Sequence, residues 1–190
     1  MSVAMEEGAR RHRITVEEYH RMAKVGLLAP DARVELIEGE IIDMPPIGSR
    51  HAAIVSRLSR LLERAVGERA IVRCQLPVLV GDLSEPQPDL ALLMPREDFY
   101  EQRHPSAADT LLVIEVSETT LRYDRQIKMP LYASHGVSEL WIVDAARKQV
   151  HVFRDPAGTA YRETFTFDQP GLMHIGALPG VAVDMSSVSG

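Results

Sequence analysis

Asp89, Glu115 and Lys128 are the residues of this chain whose types and settings could do chemistry together. Glu115 stands in the stretch Leu111 to Ser117, LLVIEVS, whose other six residues suit the middle of a buried strand. Burying an unpaired charge costs several kcal/mol, so such a strand must find the carboxylate a compensating group. Strand alternation puts Leu111, Val113, Glu115 and Ser117 on one face, and Asp89, Ala91 and Leu93 on one face of a strand over 88–94. Asp89 follows Pro88, and proline suits the first position of a strand. Asp89 therefore begins one strand and Glu115 nearly ends another. If the two are antiparallel neighbours, the carboxylates lie side by side. Such a pair needs a proton, a basic partner or a metal.

Lys128 is the candidate basic partner. The chain has three lysines (Lys24, Lys128 and Lys148) against eighteen arginines, so a lysine here selects a compact point charge over a planar fork. Asp124, Lys128 and Tyr132 are spaced i, i+4, i+8 and could line one helical face. Spacing alone favours a plainer reading, a surface helix with one weak ion pair. His51 falls on the same side of a helix as Leu58 and Leu62. A histidine so placed is usually a satisfied core residue, but one at a helix start near carboxylates could serve a site. A Ser117/His51 nucleophile pair is a further reading that no local motif supports. Phosphate-binding glycine loops, H-E-x-x-H and G-x-S-x-G are all absent from the sequence.

The elements that must position these groups can be read along the chain. Residues 1–13 are polar and expected to be loose. Thr15 to Glu18, TVEE, is a capping-box pattern opening a short helix that should end near Gly26. Arg33 to Met44 reads as two strands around a turn at Glu38-Gly39-Glu40, and PPIGS then breaks the strand. Residues 50–66 form the clearest helix, with Ile54, Leu58, Leu61, Leu62 and Ala65 as its apolar stripe. Arg57, Arg60 and Arg64 fall on a neighbouring face; a solvated face is favoured over a rail for phosphates.

Strands are expected at about 71–80, 88–94 and 111–117, and a loop with one helical turn over Pro95 to Asp109. Residues 121–135 read as helix, kinked at or beginning from Pro130. Glu139 to Asp144, Gln149 to Asp155 and Ala160 to Phe167 read as a C-terminal meander, followed by a short tail segment. No repeat or linker divides them, so residues 14–190 are expected to make one α/β domain.

Composition sets the remaining bounds. The 190 residues, 45% hydrophobic and 25% charged, suffice for a sizeable core. No apolar run is long enough for a membrane span, and the first residues lack the apolar centre of a signal peptide. Cys74 is the only cysteine, which excludes an internal disulfide or a Cys-rich zinc site and fits a cytoplasmic protein. A net charge of -6 argues against a nucleic-acid footprint over the whole surface, though not against a locally basic groove.

Together, Pro88-Asp89, Glu115-Val116-Ser117, Tyr123 to Asp144 (YDRQIKMPLYASHGVSELWIVD) and Val34 to His51 (VELIEGEIIDMPPIGSRH) resemble the Uma-two family. That is a bacterial family of endonucleases with the PD-(D/E)XK, restriction-endonuclease-like fold. The resemblance covers roughly residues 14–184. It implies a mixed sheet flanked by helices, with an N-terminal hairpin and the C-terminal β-meander. It also implies that Asp89 and Glu115 ligate a metal, with the Val116 carbonyl as third ligand, and that Lys128 is the family's lysine. Glu35, Glu38, His51, Asp124 and Tyr132 match other recurring positions. In the general pattern the lysine lies two residues after the second acid. That position is Ser117 here, so the resemblance implies a lysine that reaches the site from the following helix.

The activity so implied is hydrolysis of phosphodiester bonds in nucleic acid, with DNA the expected substrate and Mg²⁺ or Mn²⁺ the expected cofactor. A homodimer is expected for cutting both strands. The competing expectation is a catalytically silent nucleic-acid-binding or protein-interaction module of the same fold. A small-molecule hydrolase using Ser117 and His51 is the third.

Overall fold

Residues 10–186 are described by the computed structural model. Of the loose segment expected over 1–13, the first nine residues lie outside that range, as do residues 187–190.

Thr15 caps the first helix, α1 (Val16–Lys24). Its hydroxyl accepts from the Glu18 N–H, and the Glu18 carboxylate accepts from the Thr15 N–H, the reciprocal pair that its sequence pattern predicts. The Tyr19 hydroxyl ties α1 to β1 (Val34–Ile37) by donating to the Val34 carbonyl at 3.1 Å. β1 pairs antiparallel with β2 (Glu40–Asp43). The turn is one residue tighter than expected. Only Glu38 and Gly39 lie in it, at φ of 48° and 80°, and Glu40 is already in β2. Two left-handed residues in succession match the twist of a two-residue hairpin. A Cβ on Gly39 would stand 2.5 Å from the Arg13 Cβ, so the turn needs glycine for space as well as for φ.

Helix α2 (Ser49–Val66) buries Ile54, Val55, Leu58, Leu62 and Val66, while Arg57, Arg60 and Arg64 are exposed as a solvated face expects. Strand β3 (Ile71–Cys74) is shorter than the 71–80 predicted. Gln75 adopts φ 51° and turns the chain away from the sheet, and Pro77, which has no N–H, could not continue the ladder. β4 (Leu90–Leu93) and β5 (Thr110–Ser117) pair antiparallel in the register Leu90 to Ile114 and Ala91 to Val113.

The 121–135 stretch is helical, and a helix begins around Pro130, one of the two ways expected, though earlier helical turns run into it. A first turn, α3 (Leu121–Tyr123), runs into a π-helical segment over Asp124–Lys128 and then α4 (Met129–Ser134), with Pro130 in its first turn. The wider i to i−5 bonding, as from the Met129 N–H to the Asp124 carbonyl, passes the chain through the point where the proline ring would meet an α-helical carbonyl. β6 (Glu139–Asp144), β7 (Gln149–Ala157) and β8 (Ala160–Phe167) complete the sheet as an antiparallel meander. β9 (Leu172–His174) and β10 (Ala182–Asp184) form a small separate ribbon.

The main sheet has the order β3-β4-β5-β6-β7-β8, with β5 and β6 the parallel neighbours. Parallel neighbours need a crossover, and α3 through α4 supplies it. Alternation along β5 then builds two cores. Leu112, Ile114 and Val116 meet Leu58 and Leu62 of α2 on one face. Val113 meets Leu131 and Tyr132 of α4 on the other, together with Leu140 and Ile142. The fold is therefore a mixed sheet with helices on both faces, carrying the hairpin and meander expected. Among the described residues no helix is long and apolar enough to cross a membrane.

Candidate active site

The β4–β5 register carries Asp89 and Glu115 to the same end of two paired strands. Asp89 stands just before β4, one step beyond the Leu90–Ile114 pair. Its Oδ2 accepts from the Val116 N–H at 2.8 Å, and its Oδ1 lies 2.8 Å from His51 Nε2 and 3.2 Å from Gln75 Nε2. Three groups from three elements thus fix one carboxylate. His51 reaches it because it begins α2 on the helix side that packs on the sheet. The hydrogen bond to Asp89 holds the imidazole above its ordinary range, against the pull of burial.

Glu115 projects from the opposite face of β5 to Val116, towards the crossover. Its Oε1 accepts from the Tyr132 hydroxyl at 2.7 Å and from Lys128 Nζ at 3.2 Å. Lys128 Nζ stands at the same 3.2 Å from Glu35 Oε2 on β1. Asp124, Lys128 and Tyr132 are all buried, which replaces the surface-helix reading of their spacing. The pairing differs too. Asp124 Oδ2 accepts from Ser117 Oγ at 2.6 Å and Thr120 Oγ1 at 2.8 Å, while Lys128 turns to the two glutamates.

One lysine divided between two buried glutamates leaves negative charge over. Burial pushes the Glu115 carboxyl up to about 8, with Lys128 opposing and Asp124, Asp89 and Glu35 adding to the rise. Burial also raises Asp124, against its hydrogen bond from Ser117. Burial disfavours charge on Lys128 as well, but Glu115, Glu35 and Asp124 outweigh it and hold the ammonium above its ordinary range. The groups open onto a cleft of about 260 Å³, walled on one side by Met44 to Ile47 after β2.

A family model described as "Putative restriction endonuclease", Uma2, matches residues 16–186. The chain belongs to the Uma2 family. Its fold is also that of a crystal structure described as "a putative nuclease belonging to DUF820" from Anabaena variabilis. The two chains are 22% identical with a TM-score of 0.69, and the match covers 93% of this chain and 97% of that one. None of the curated proteins matches the chain.

Within this Uma2 chain, the expected residues divide clearly. Asp89, Glu115, Lys128, Glu35 and His51 all line the cleft, as do Val116 and Asp124. Glu38 does not. It occupies the exposed hairpin turn at φ 48°, and the period-two pleat that points Glu35 inward carries the chain out of the strand before Glu38. Ser117 is buried and gives its hydroxyl hydrogen to Asp124, so it is not paired with His51, and the Ser117/His51 nucleophile reading loses its geometry.

Three residues that sequence reasoning passed over complete the site of this Uma2 protein. Gln75 donates to Asp89 from a left-handed position that nothing in the sequence marks. Gln87 donates its backbone N–H to Glu35 Oε2 at 3.2 Å and its side-chain amide to the Val34 carbonyl. Its place between Pro86 and Pro88 was the available signal. The Tyr123 hydroxyl, 3.5 Å from Glu35 Oε1, closes the group.

The donor set suits a divalent cation. Glu35, Asp89, Glu115 and Asp124 line the cleft with Asp43 and Glu118, and the basic residues there are Lys128, His51 and Arg33, the last donating to the Pro45 carbonyl. Carboxylate and carbonyl oxygens are the ligands that Mg²⁺ takes, and a small cleft leaves room for the waters it retains.

Proposed function

We propose that this chain is a divalent-metal-dependent nuclease that hydrolyses phosphodiester bonds in nucleic acid, with DNA as the substrate and Mg²⁺ or Mn²⁺ as the cofactor. The observation that carries the reading is the buried Lys128, shared at 3.2 Å between Glu35 and Glu115 beside Asp89. Asp89, Glu115 and the Val116 carbonyl are the residues that would hold the metal. When bound, a divalent ion there polarises a phosphoryl oxygen and lowers the pKa of a water.

The chain's own groups do the rest. Lys128 supplies a fixed positive charge where negative charge grows on the phosphate, in a buried setting where that charge is little screened. Tyr132 holds the orientation of Glu115, and His51 with Gln75 that of Asp89. Glu35 keeps Lys128 charged and aimed. Asp124, bound to the end of β5 through Ser117, anchors the π-helical segment that carries Lys128. A duplex cut on both strands by one site per chain takes two copies, so this reading includes a homodimer.

The test is cleavage of duplex and single-stranded DNA and of RNA by the purified chain, with Mg²⁺, with Mn²⁺ and with a chelator. Metal-dependent cleavage that falls by about 10²-fold or more in Asp89→Asn, Glu115→Gln and Lys128→Met is expected. Full activity in all three would overturn the assignment.

One observation favours a second reading, a catalytically silent module of the same fold that binds nucleic acid or protein. Each acid of the site already has a hydrogen-bond donor within the chain. That module gains no stability from Mg²⁺ or Mn²⁺.

A further inference from the structure

Away from the cleft, Glu85 is a buried carboxylate on the segment between β3 and β4. Its backbone N–H donates to the Leu36 carbonyl at 2.8 Å, an antiparallel bridge that holds the segment along the edge of β1 opposite β2. The side chain is 5% exposed, and His20 Nε2 of α1 approaches its Oε2 to 2.6 Å. His20 is itself half exposed. A buried carboxylate held by one half-exposed imidazole is poorly compensated.

A third group converges on the same point. His104, in the loop between β4 and β5, stands edge-on to His20 with ring centroids 6.2 Å apart. One ligand atom each from His20, Glu85 and His104 lie within 4.8 Å of one another. The loop is held in place at both sides of His104. Arg103 pairs with Asp109 at 2.8 Å, and the Pro105 carbonyl accepts from the Leu79 N–H at 2.7 Å. The second imidazole therefore stands near the carboxylate on a braced backbone.

We propose that His20, Glu85 and His104 form a second metal site that takes a zinc-type divalent transition ion. Two imidazoles and one carboxylate are a donor set for zinc, whereas Mg²⁺ takes oxygen ligands. Bond lengths of about 2.0–2.2 Å set tetrahedral ligand atoms about 3.3 Å apart. The 2.6 Å contact would open slightly, and His104, whose ligand atom lies within 4.8 Å of the other two, would close by at most about 1.5 Å. Three protein ligands leave a fourth position for water.

The site would clasp α1 and the β4–β5 loop onto the segment alongside β1. Gln87, two residues after Glu85, donates to Glu35 of the cleft, so the clasp also steadies the partner of Lys128. The inference does not rest on nuclease activity.

The full chain, stripped with a chelator, is titrated with ZnCl₂ in millimolar MgCl₂ and followed by calorimetry, with Co²⁺ absorption as a second readout. Wild type and Asp89→Asn are expected to bind one equivalent alike. His20→Gln, Glu85→Gln and His104→Gln are expected to lose more than about tenfold in affinity, which even an outer-shell change can cost. Neither His20 nor His104 is a core residue, so their variants stay folded, and melts in the absence of metal check this. Zinc affinity unchanged in both histidine variants, or no binding by folded wild type, would overturn the proposal.

Discussion

Lys128 Nζ lies 3.2 Å from Glu115 Oε1, and both side chains are almost wholly buried. A second carboxylate, Glu35, stands at the same distance from that ammonium. The site is thus an ionic group within the protein, coupled to the fold that contains it.

Removing the lysine should cost far more than losing a surface pair. Lys128→Met leaves the buried Glu35 and Glu115 side chains without their shared cation, and breaking a buried pair costs about 3–5 kcal/mol. Urea unfolding is expected to show that loss, and the double variant Lys128→Met/Glu115→Gln should recover part of it. Wild-type stability in Lys128→Met would mean that Glu35 and Glu115 do not depend on it.

Stability should fall as pH rises through the neutral range. Burial holds the Glu115 carboxyl up near 8 in the folded chain, against about 4.3 unfolded. Below about 4.3 both states keep the proton. Between that value and about 8 only the folded state keeps it, so stability declines with pH, by at most about 1.4 kcal/mol per unit. His51, raised by Asp89, adds in the same direction. Its contribution is whole below about 6.5 and is lost as pH climbs through its folded value. Unfolding measured from about pH 5 to about pH 9 should show a shallower decline in Glu115→Gln than in wild type.

A cation held at the cleft should appear as stability. At a hundredfold excess over Kd, binding to the folded state adds about 2.7 kcal/mol. MgCl₂ is therefore expected to raise the melting temperature of wild type and not that of Asp89→Asn. Equal shifts in the two proteins would place the binding elsewhere.

Ser117 should prove structural rather than nucleophilic. Its hydroxyl is one of two that bind the Asp124 carboxylate. Ser117→Ala is expected to cost about 1–3 kcal/mol in a denaturant melt. Cleavage should remain metal-dependent. Hydrolysis that survives a chelator in wild type and vanishes in Ser117→Ala would revive the serine reading.

Much of this site could be read from local rules. Proline before Asp89 and an acid inside an apolar strand pointed to two strand ends. The capping box at Thr15, the stripe of α2 and the meander after Glu139 followed from periodicity and turn chemistry. Glu38 misled because both it and Glu35 flank one turn, and which faces inward depends on where the strand stops. Gln75 was invisible because its left-handed backbone and its bond to Asp89 both arise from the end of β3.

By itself the sequence determined which segments alternate or repeat at helical spacing, and so which faces are apolar. It also marked Asp89, Glu115 and Lys128 as the residues to watch. Only the tertiary structure decided their partners. The parallel pairing of β5 with β6 forces a crossover, and Lys128, on the π-helical segment before Pro130, pairs with Glu35 and Glu115. Those relations join residues far apart in the chain, and packing, unlike local propensity, is not written in any single window of sequence.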